Sequence, residues 1–191
     1  MNKIETIVLF DMDDTLFDHN GQLLKDLRKL SSPTEPELSE ENLYHLPDYI
    51  RERSFRIREK KEWWANLPKF HLGWDLWELV GELGYNREIL TRANLKNPSM
   101  WIGKIECIVK NFQEKVPTTI TSSSKSRHYG RVLVDDFPEY CSSWLKHRPR
   151  GLVIMPAHSY NKQFSHPQTV RYDGTNLEQV RQALLEIQVT S

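Results

Sequence analysis

Cysteine is scarce in this sequence: Cys107 and Cys141 are the two present in 191 residues. Neither a Cys-x-x-Cys pair nor the thiol density of a secreted scaffold occurs, which argues against a disulfide framework and a thiolate zinc site. A reducing, cytoplasmic compartment is expected. Long apolar runs are also missing, so no membrane span is expected, and the first apolar run begins too close to Met1 to leave room for a secretory leader. Neither sign of charge is in excess, with 26 basic residues against 26 acidic ones. No chain-wide field for a nucleic acid polymer or a membrane surface is therefore expected. The sequence has no Walker loop, Gly-x-Gly-x-x-Gly, His-Glu-x-x-His or Gly-x-Ser-x-Gly, so the enzyme classes those motifs mark have no support. His128, His158 and His166 lack metal spacing and are read as solvated or structurally bonded. Hydrophobic residues at 38% and charged residues at 27% suit one globular domain of moderate size with an appended subdomain.

The chain is organised around Ile7-Val8-Leu9-Phe10-Asp11-Met12-Asp13-Asp14-Thr15, an apolar run that ends in carboxylates. Four large apolar residues bounded by charge read as a strand buried on both faces, as in the centre of a parallel sheet. The acids then lie at its C-terminal end, where open α/β sheets bind ligands, and Asp11 and Asp13 face a crevice. Like charges this close need a cation or strong donors. Oxygen-only ligands argue for magnesium. The bland alternative is a chance turn after a strand. Asp-x-Asp-x-Thr in this setting resembles the first motif of the haloacid dehalogenase superfamily of phosphotransferases.

Residues 19–70 are charge-rich and helical in pattern, with Leu23, Leu24, Leu27 and Leu30 at helical spacing before the breakers of 31–36. A second helix is expected from Asp48 through Lys61. Its basic residues, Arg51 and Arg58 among them, read as a solvated face or as a rim that attracts anionic substrate. The segment 19–70 is read as a small helical cap inserted after the first strand, with 1–18 and 71–191 forming the core. Trp63 and Trp64 cannot both face one core from a helix, so packing at the cap–core junction is expected for the pair, with contact to a ligand as the alternative.

A core helix is expected over Trp74–Leu83 with Gly84 as its C-cap, then a strand over Glu88–Thr91. Asn97-Pro98 opens a helix with Trp101, Ile105, Ile108, Val109 and Phe112 at core spacing. A strand over Val116–Thr121 precedes a polar loop, and Arg131–Val134 followed by Asp135-Asp136 repeats the design of the first strand. A helix over Pro138–Lys146, a fifth strand over Gly151–Met155 and a capping box at Thr175–Glu178 complete the pattern. Strands alternating with helices predict an α/β fold: a Rossmann-like parallel sheet with helices on both faces and the small cap.

Phosphoryl transfer needs an in-line nucleophile, a proton donor for the leaving oxygen, and positive charge around the equatorial oxygens. Asp11 is the candidate nucleophile, forming an aspartyl-phosphate, and Asp13 the candidate acid and base. Thr91 offers a hydroxyl and Lys125 a point charge to the phosphate. Asp135 and Asp136 would complete a magnesium site with Asp11 and the main-chain carbonyl of Asp13. Taken singly, Thr91 could be any strand-end threonine or helix cap, Lys125 a solvated loop residue, and Asp135-Asp136 a turn pair.

Within the superfamily the chain resembles the 5'(3')-deoxyribonucleotidase group. Lys104 follows Thr91 by thirteen residues, and Lys125 precedes Asp135 and Asp136 by ten and eleven, as in that group. The resemblance implies a magnesium-dependent phosphomonoesterase acting on a small-molecule nucleoside monophosphate, with Asp136 as direct metal ligand and Asp135 holding a metal-bound water. The group usually has glycine at the position of Asp14, serine at that of Arg92, and a base-stacking aromatic at that of His19. Arg92 would add a guanidinium for phosphate. His19, Trp63, Trp64 and Lys104 are the candidate substrate-pocket residues. A phosphatase for a sugar phosphate, and a catalytically weak nucleotide-binding protein of the same fold, are the alternatives.

Overall fold

The computed structural model describes residues 6–113 and 115–189. Six strands form one sheet: β1 (Ile7–Phe10), β2 (Asn86–Arg92), β3 (Thr118–Thr121), β4 (Val132–Val134), β5 (Leu152–Pro156) and β6 (Thr169–Tyr172). Their order is β3-β2-β1-β4-β5-β6, and every pair is parallel. Between the strands run α1 (His19–Lys29), a 3₁₀ turn (Glu40–His45), α2 (Asp48–Arg58), α3 (Lys61–Ala65), α4 (His71–Glu82), α5 (Pro98–Phe112), a 3₁₀ turn (Lys125–Arg127) and α6 (Pro138–Lys146), while α7 (Leu177–Val189) follows β6. This is a Rossmann-like α/β fold.

Strand periodicity divides the core. Val8, Phe10, Val132, Val134 and Ile154 pack on one face with residues of α4, α5 and α7, whereas Leu9, Leu133, Val153 and Met155 pack on the other with Cys141, Trp144 and Leu145 of α6. Both cysteines are buried and unbridged. A third apolar cluster belongs to 19–70: Leu23, Leu24 and Leu27 of α1 meet Leu38, Leu46, Ile50 and Ile57. No helix among the described residues is long and apolar enough to cross a membrane.

The chain reverses direction across the sheet at β1, which pairs with β2 on one side and β4 on the other. That switch point opens a crevice at the strands' C-terminal ends. Four local expectations need correction. A sixth strand exists, since Thr169–Tyr172 pairs with β5 although only Tyr172 of it is fully buried. The helix from Asp48 stops at Arg58, and Lys61 opens α3 instead. On α5 the buried residues are Gly103, Lys104, Cys107 and Ile108, while Ile105 and Val109 are exposed. The capping box does not form: the Thr175 hydroxyl donates to Asp173 Oδ1 at 2.6 Å, and Glu178 turns to Gln182 and Arg181.

Candidate active site

Residues 11–17 form a compact turn at the end of β1. The amide of Asp11 donates to the Val134 carbonyl at 2.8 Å, extending the ladder to β4, and the amides of Leu16 and Phe17 both return to the Met12 carbonyl at 2.9 and 2.8 Å. Asp14 takes φ +57°, the left-handed region. Its carboxylate Oδ1 accepts from the Asn20 amide at 2.7 Å, so the residue that turns the chain also ties down the start of α1. Gly73 completes the turn's support, because a Cβ there would lie 1.6 Å from the Thr15 carbonyl oxygen.

The turn and the end of β4 meet over a buried lysine. Lys125 Nζ lies 2.6 Å from Asp11 Oδ1 and 2.7 Å from Asp135 Oδ2. Asp136 accepts from the Thr15 hydroxyl at 2.8 Å and from the Tyr160 hydroxyl at 2.6 Å. Asp11, Asp135 and Asp136 each present an oxygen within 4.8 Å of the others, and all three are buried. Burial, reinforced by Asp135, Asp14 and Asp11, drives the carboxyl of Asp136 far above the carboxylate range. Burial likewise raises Asp11 to about 7 against the pull of Lys125. Lys125 thus serves Asp11 and Asp135 while Asp136 accepts from hydroxyls, so among the described residues these three buried carboxyl groups have one ammonium between them. That excess of negative charge on oxygen donors fits a small hard dication.

Asp13 lies outside this triad. Its Oδ2 accepts from Lys104 Nζ at 2.6 Å, and the same ammonium donates to the Thr91 hydroxyl at 2.8 Å and the Arg92 carbonyl at 2.7 Å. Burial by itself would raise Asp13, but Lys104, His19 and Lys125 together bring it below the ordinary value. Its Oδ1 is buried without a hydrogen-bond partner.

A cavity of about 830 Å³ opens over Asp11, Asp13, Lys125 and Asp136, with His19 and Arg92 on its wall. Arg92 Nη1 donates to the Tyr140 hydroxyl at 2.6 Å, and Arg92 and Lys125 both lie over the Tyr140 ring. Thr91, Lys104, Trp63 and Trp64 do not line the cavity. Thr91 and Lys104 sit beneath it, fully buried. Trp64 is fully buried, donating to the Arg58 carbonyl at 2.7 Å, and Trp63 donates to Asp26 at 3.1 Å. The tryptophans therefore pack at the junction of α1, α2 and α5 and make no wall for a ligand. Asp135 completes the triad from beneath, bonded to Lys125 and to the Phe137 amide.

Sequence reading did not single out Tyr160, Asn161, Glu40 or Tyr140. Asn161 Nδ2 donates to the carbonyls of Asp136 and Pro156, both at 2.9 Å. His158 is structurally bonded: it lies between Phe70 and Tyr160, reaching Glu40 through Nδ1 and the Asp14 carbonyl through Nε2, each at 2.6 Å. Glu40 and Asp14 lie 118 and 144 residues from His158, so no local spacing announces these bonds.

No protein-family model matches the sequence, nor does any curated protein. Solved structures do match. A protein from Burkholderia xenovorans LB400 assigned to the haloacid dehalogenase-like hydrolases aligns with TM-score 0.57 over 96% of this chain and 98% of its own, at 16% identity. The chain has the haloacid dehalogenase-like fold. A haloacid dehalogenase-superfamily hydrolase from Ehrlichia chaffeensis aligns at TM-score 0.51 and 14% identity over 98% and 99% of the two chains. One from Bacillus subtilis, solved with magnesium bound, aligns at 0.53 and 10% over 95% and 99%. In this chain, the turn after β1 and the end of β4 carry the acids described above.

Proposed function

We propose that the protein is a phosphoric monoester hydrolase acting on nucleoside monophosphates through an aspartyl-phosphate on Asp11. The observation that carries this reading is the placement of Asp11 and Asp13 on one cavity floor, with Lys125 on Asp11 and an unpartnered oxygen on Asp13. The carboxylate of Asp11 attacks phosphorus while the ester oxygen leaves with a proton from Asp13. Asp13 then takes a proton from water, which attacks the acyl phosphate, releasing inorganic phosphate and restoring Asp11. Lys104 holds Asp13 ionised; the charge of an arriving phosphate dianion opposes that and favours the proton the first step needs. Lys125 and Arg92 supply positive charge for the phosphoryl oxygens. Asp11, Asp135 and Asp136 would hold magnesium, which when bound keeps Asp11 ionised and neutralises phosphate charge. Tyr44, Phe55, Phe137 and Tyr140 on the cavity wall offer aromatic surface to a base.

The test is phosphate release from nucleoside 5'- and 3'-monophosphates, deoxy and ribo, beside sugar phosphates, with magnesium and with EDTA. Release from the nucleotides that EDTA abolishes is expected. Preference for sugar phosphates would retain the chemistry and discard the substrate, and release that survives in Asp11→Asn above about a thousandth of the parent rate, ~4 kcal/mol of barrier, would discard the nucleophile.

A further inference from the structure

The cavity continues beyond the carboxylates. A second chamber of about 500 Å³ adjoins it, and Phe55, Arg58, Asn94, Lys96 and Met100 line both. Arg58 is fixed there. Its Nε and Nη2 donate to the Ser54 carbonyl and hydroxyl at 3.2 and 3.1 Å, and its own carbonyl accepts from Trp64 Nε1 at 2.7 Å and Asn97 Nδ2 at 3.0 Å. Of the other arginines of α2, Arg51 pairs with Asp48 and Arg53 with Glu35, while Arg56 is exposed to solvent and lines neither chamber. Among the described residues, neither Arg58 nor Lys96 forms an ion pair. Glu59 borders the second chamber and is exposed. Burial weakens the hold of Arg58 on its proton, and Asp13 is the carboxylate that opposes this. A half-buried guanidinium without a counter-ion is an unfavourable arrangement that an anionic ligand group relieves.

The phosphoryl group at Asp11 does not need these cations, because Lys125 and Arg92 already stand beside it, both over Tyr140. We infer that the natural substrate is bisphosphorylated, its second phosphate held by Arg58 and Lys96 where the two chambers join. The inference rests on reading the floor as a phosphomonoester site. A planar guanidinium fork and an exposed ammonium lining the same junction suit a phosphate dianion. With aromatic wall between the two ends, a nucleoside 3',5'-bisphosphate has the required pair of charges.

Calorimetric titration of Asp11→Asn with magnesium would compare deoxyadenosine 3',5'-bisphosphate with the 3'- and 5'-monophosphates, and phosphate release by the unmutated protein would be followed on all three. Bisphosphate is expected to bind at least tenfold tighter than either monophosphate, a gap that closes to within about twofold in Arg58→Gln/Lys96→Gln. Lys96→Gln alone, on an exposed loop, should narrow the gap and guards against misfolding of the double variant. Equal affinities in the parent, a gap that survives both variants, or binding of none of the three would overturn the inference. Tighter bisphosphate binding with no phosphate released from any of them would leave the second-phosphate site standing and remove the hydrolase reading.

Discussion

Asp14, at φ +57°, occupies a backbone region that costs an L-residue about 1 kcal/mol. Its carboxylate offsets that cost by bonding the Asn20 amide and lying 3.6 Å from His19 Nδ1. Asp14→Ala loses the bond and keeps the strain, whereas Asp14→Gly loses the bond and relieves the strain. The glycine variant should therefore be the more stable by about 1 kcal/mol in urea unfolding. The reverse order would mean the left-handed turn is not retained. Lys104 is the second residue whose environment decides its role. All three of its donors are used, on Asp13, Thr91 and the Arg92 carbonyl. Lys104→Met removes the cation that holds Asp13 low, so the carboxyl should rise, keep the proton that the first step needs to higher pH, and move the alkaline limb of the pH–activity profile upward. Stability should fall by about 3 kcal/mol, the cost of breaking a buried pair. An unmoved alkaline limb would show that Asp13 is governed by something other than Lys104.

Two glycines separate crowding from conformation at the level of elements. Gly73 starts α4 against the Thr15 carbonyl, where a Cβ has no room, while Gly84 ends α4 at φ +76° with nothing within 4 Å of its would-be Cβ. Gly73→Ala must push α4 away from the turn that carries Asp11 and Asp13, and it should cost about 3 kcal/mol or more and lower activity with it. Gly84→Ala should cost about 1 kcal/mol and leave activity alone. Equal melting temperatures for the two would remove the close packing of α4 on the turn. Legibility in the sequence divided along similar physical lines. β1, β4 and β5 announce themselves because both faces are buried and the run is apolar throughout. β6 does not, because Thr169-Val170-Arg171-Tyr172 pairs along a single edge and needs no apolar run. On α5 apolar spacing misled: a lysine and a glycine occupy the inner face, the one neutralised by Asp13 and the other admitting α3, whose Lys61 carbonyl lies 2.5 Å from a Gly103 Cβ. The acids of the candidate site were legible because each follows its strand directly. Glu40, His158 and Tyr160 were not, since their partners come together only through the fold.

Across the whole molecule, His158 joins three parts of the chain. Glu40, from the segment 19–70, lies 2.6 Å from Nδ1 and also accepts from the Ser159 amide and hydroxyl, while the Asp14 carbonyl lies 2.6 Å from Nε2. A carbonyl and a carboxylate both accept, so both ring nitrogens must donate and the ring is an imidazolium. Burial disfavours that charge, but the Glu40 bond and the acids Asp136 and Asp14 outweigh it and raise His158 to about 9; burial likewise opposes ionisation of Glu40, which His158 and Ser159 bring down to about 2. The signs are opposite. The His158 contribution is complete below its unfolded value near 6.5 and is lost as pH rises through about 9. The Glu40 contribution is complete above about 4.5 and is lost as pH falls toward 2. The link between the 19–70 segment and the sheet is therefore strongest between about pH 4.5 and 6.5, and the rise of His158 alone corresponds to about 3 kcal/mol. Urea unfolding should show stability falling by up to that amount from pH 6 to pH 9.5. His158→Phe keeps a ring between Phe70 and Tyr160 but cannot titrate, so its curve should be less stable at pH 6 and nearly level over the same range. A parent curve as level as that of the variant would mean that the imidazolium does not fasten the segment to the sheet.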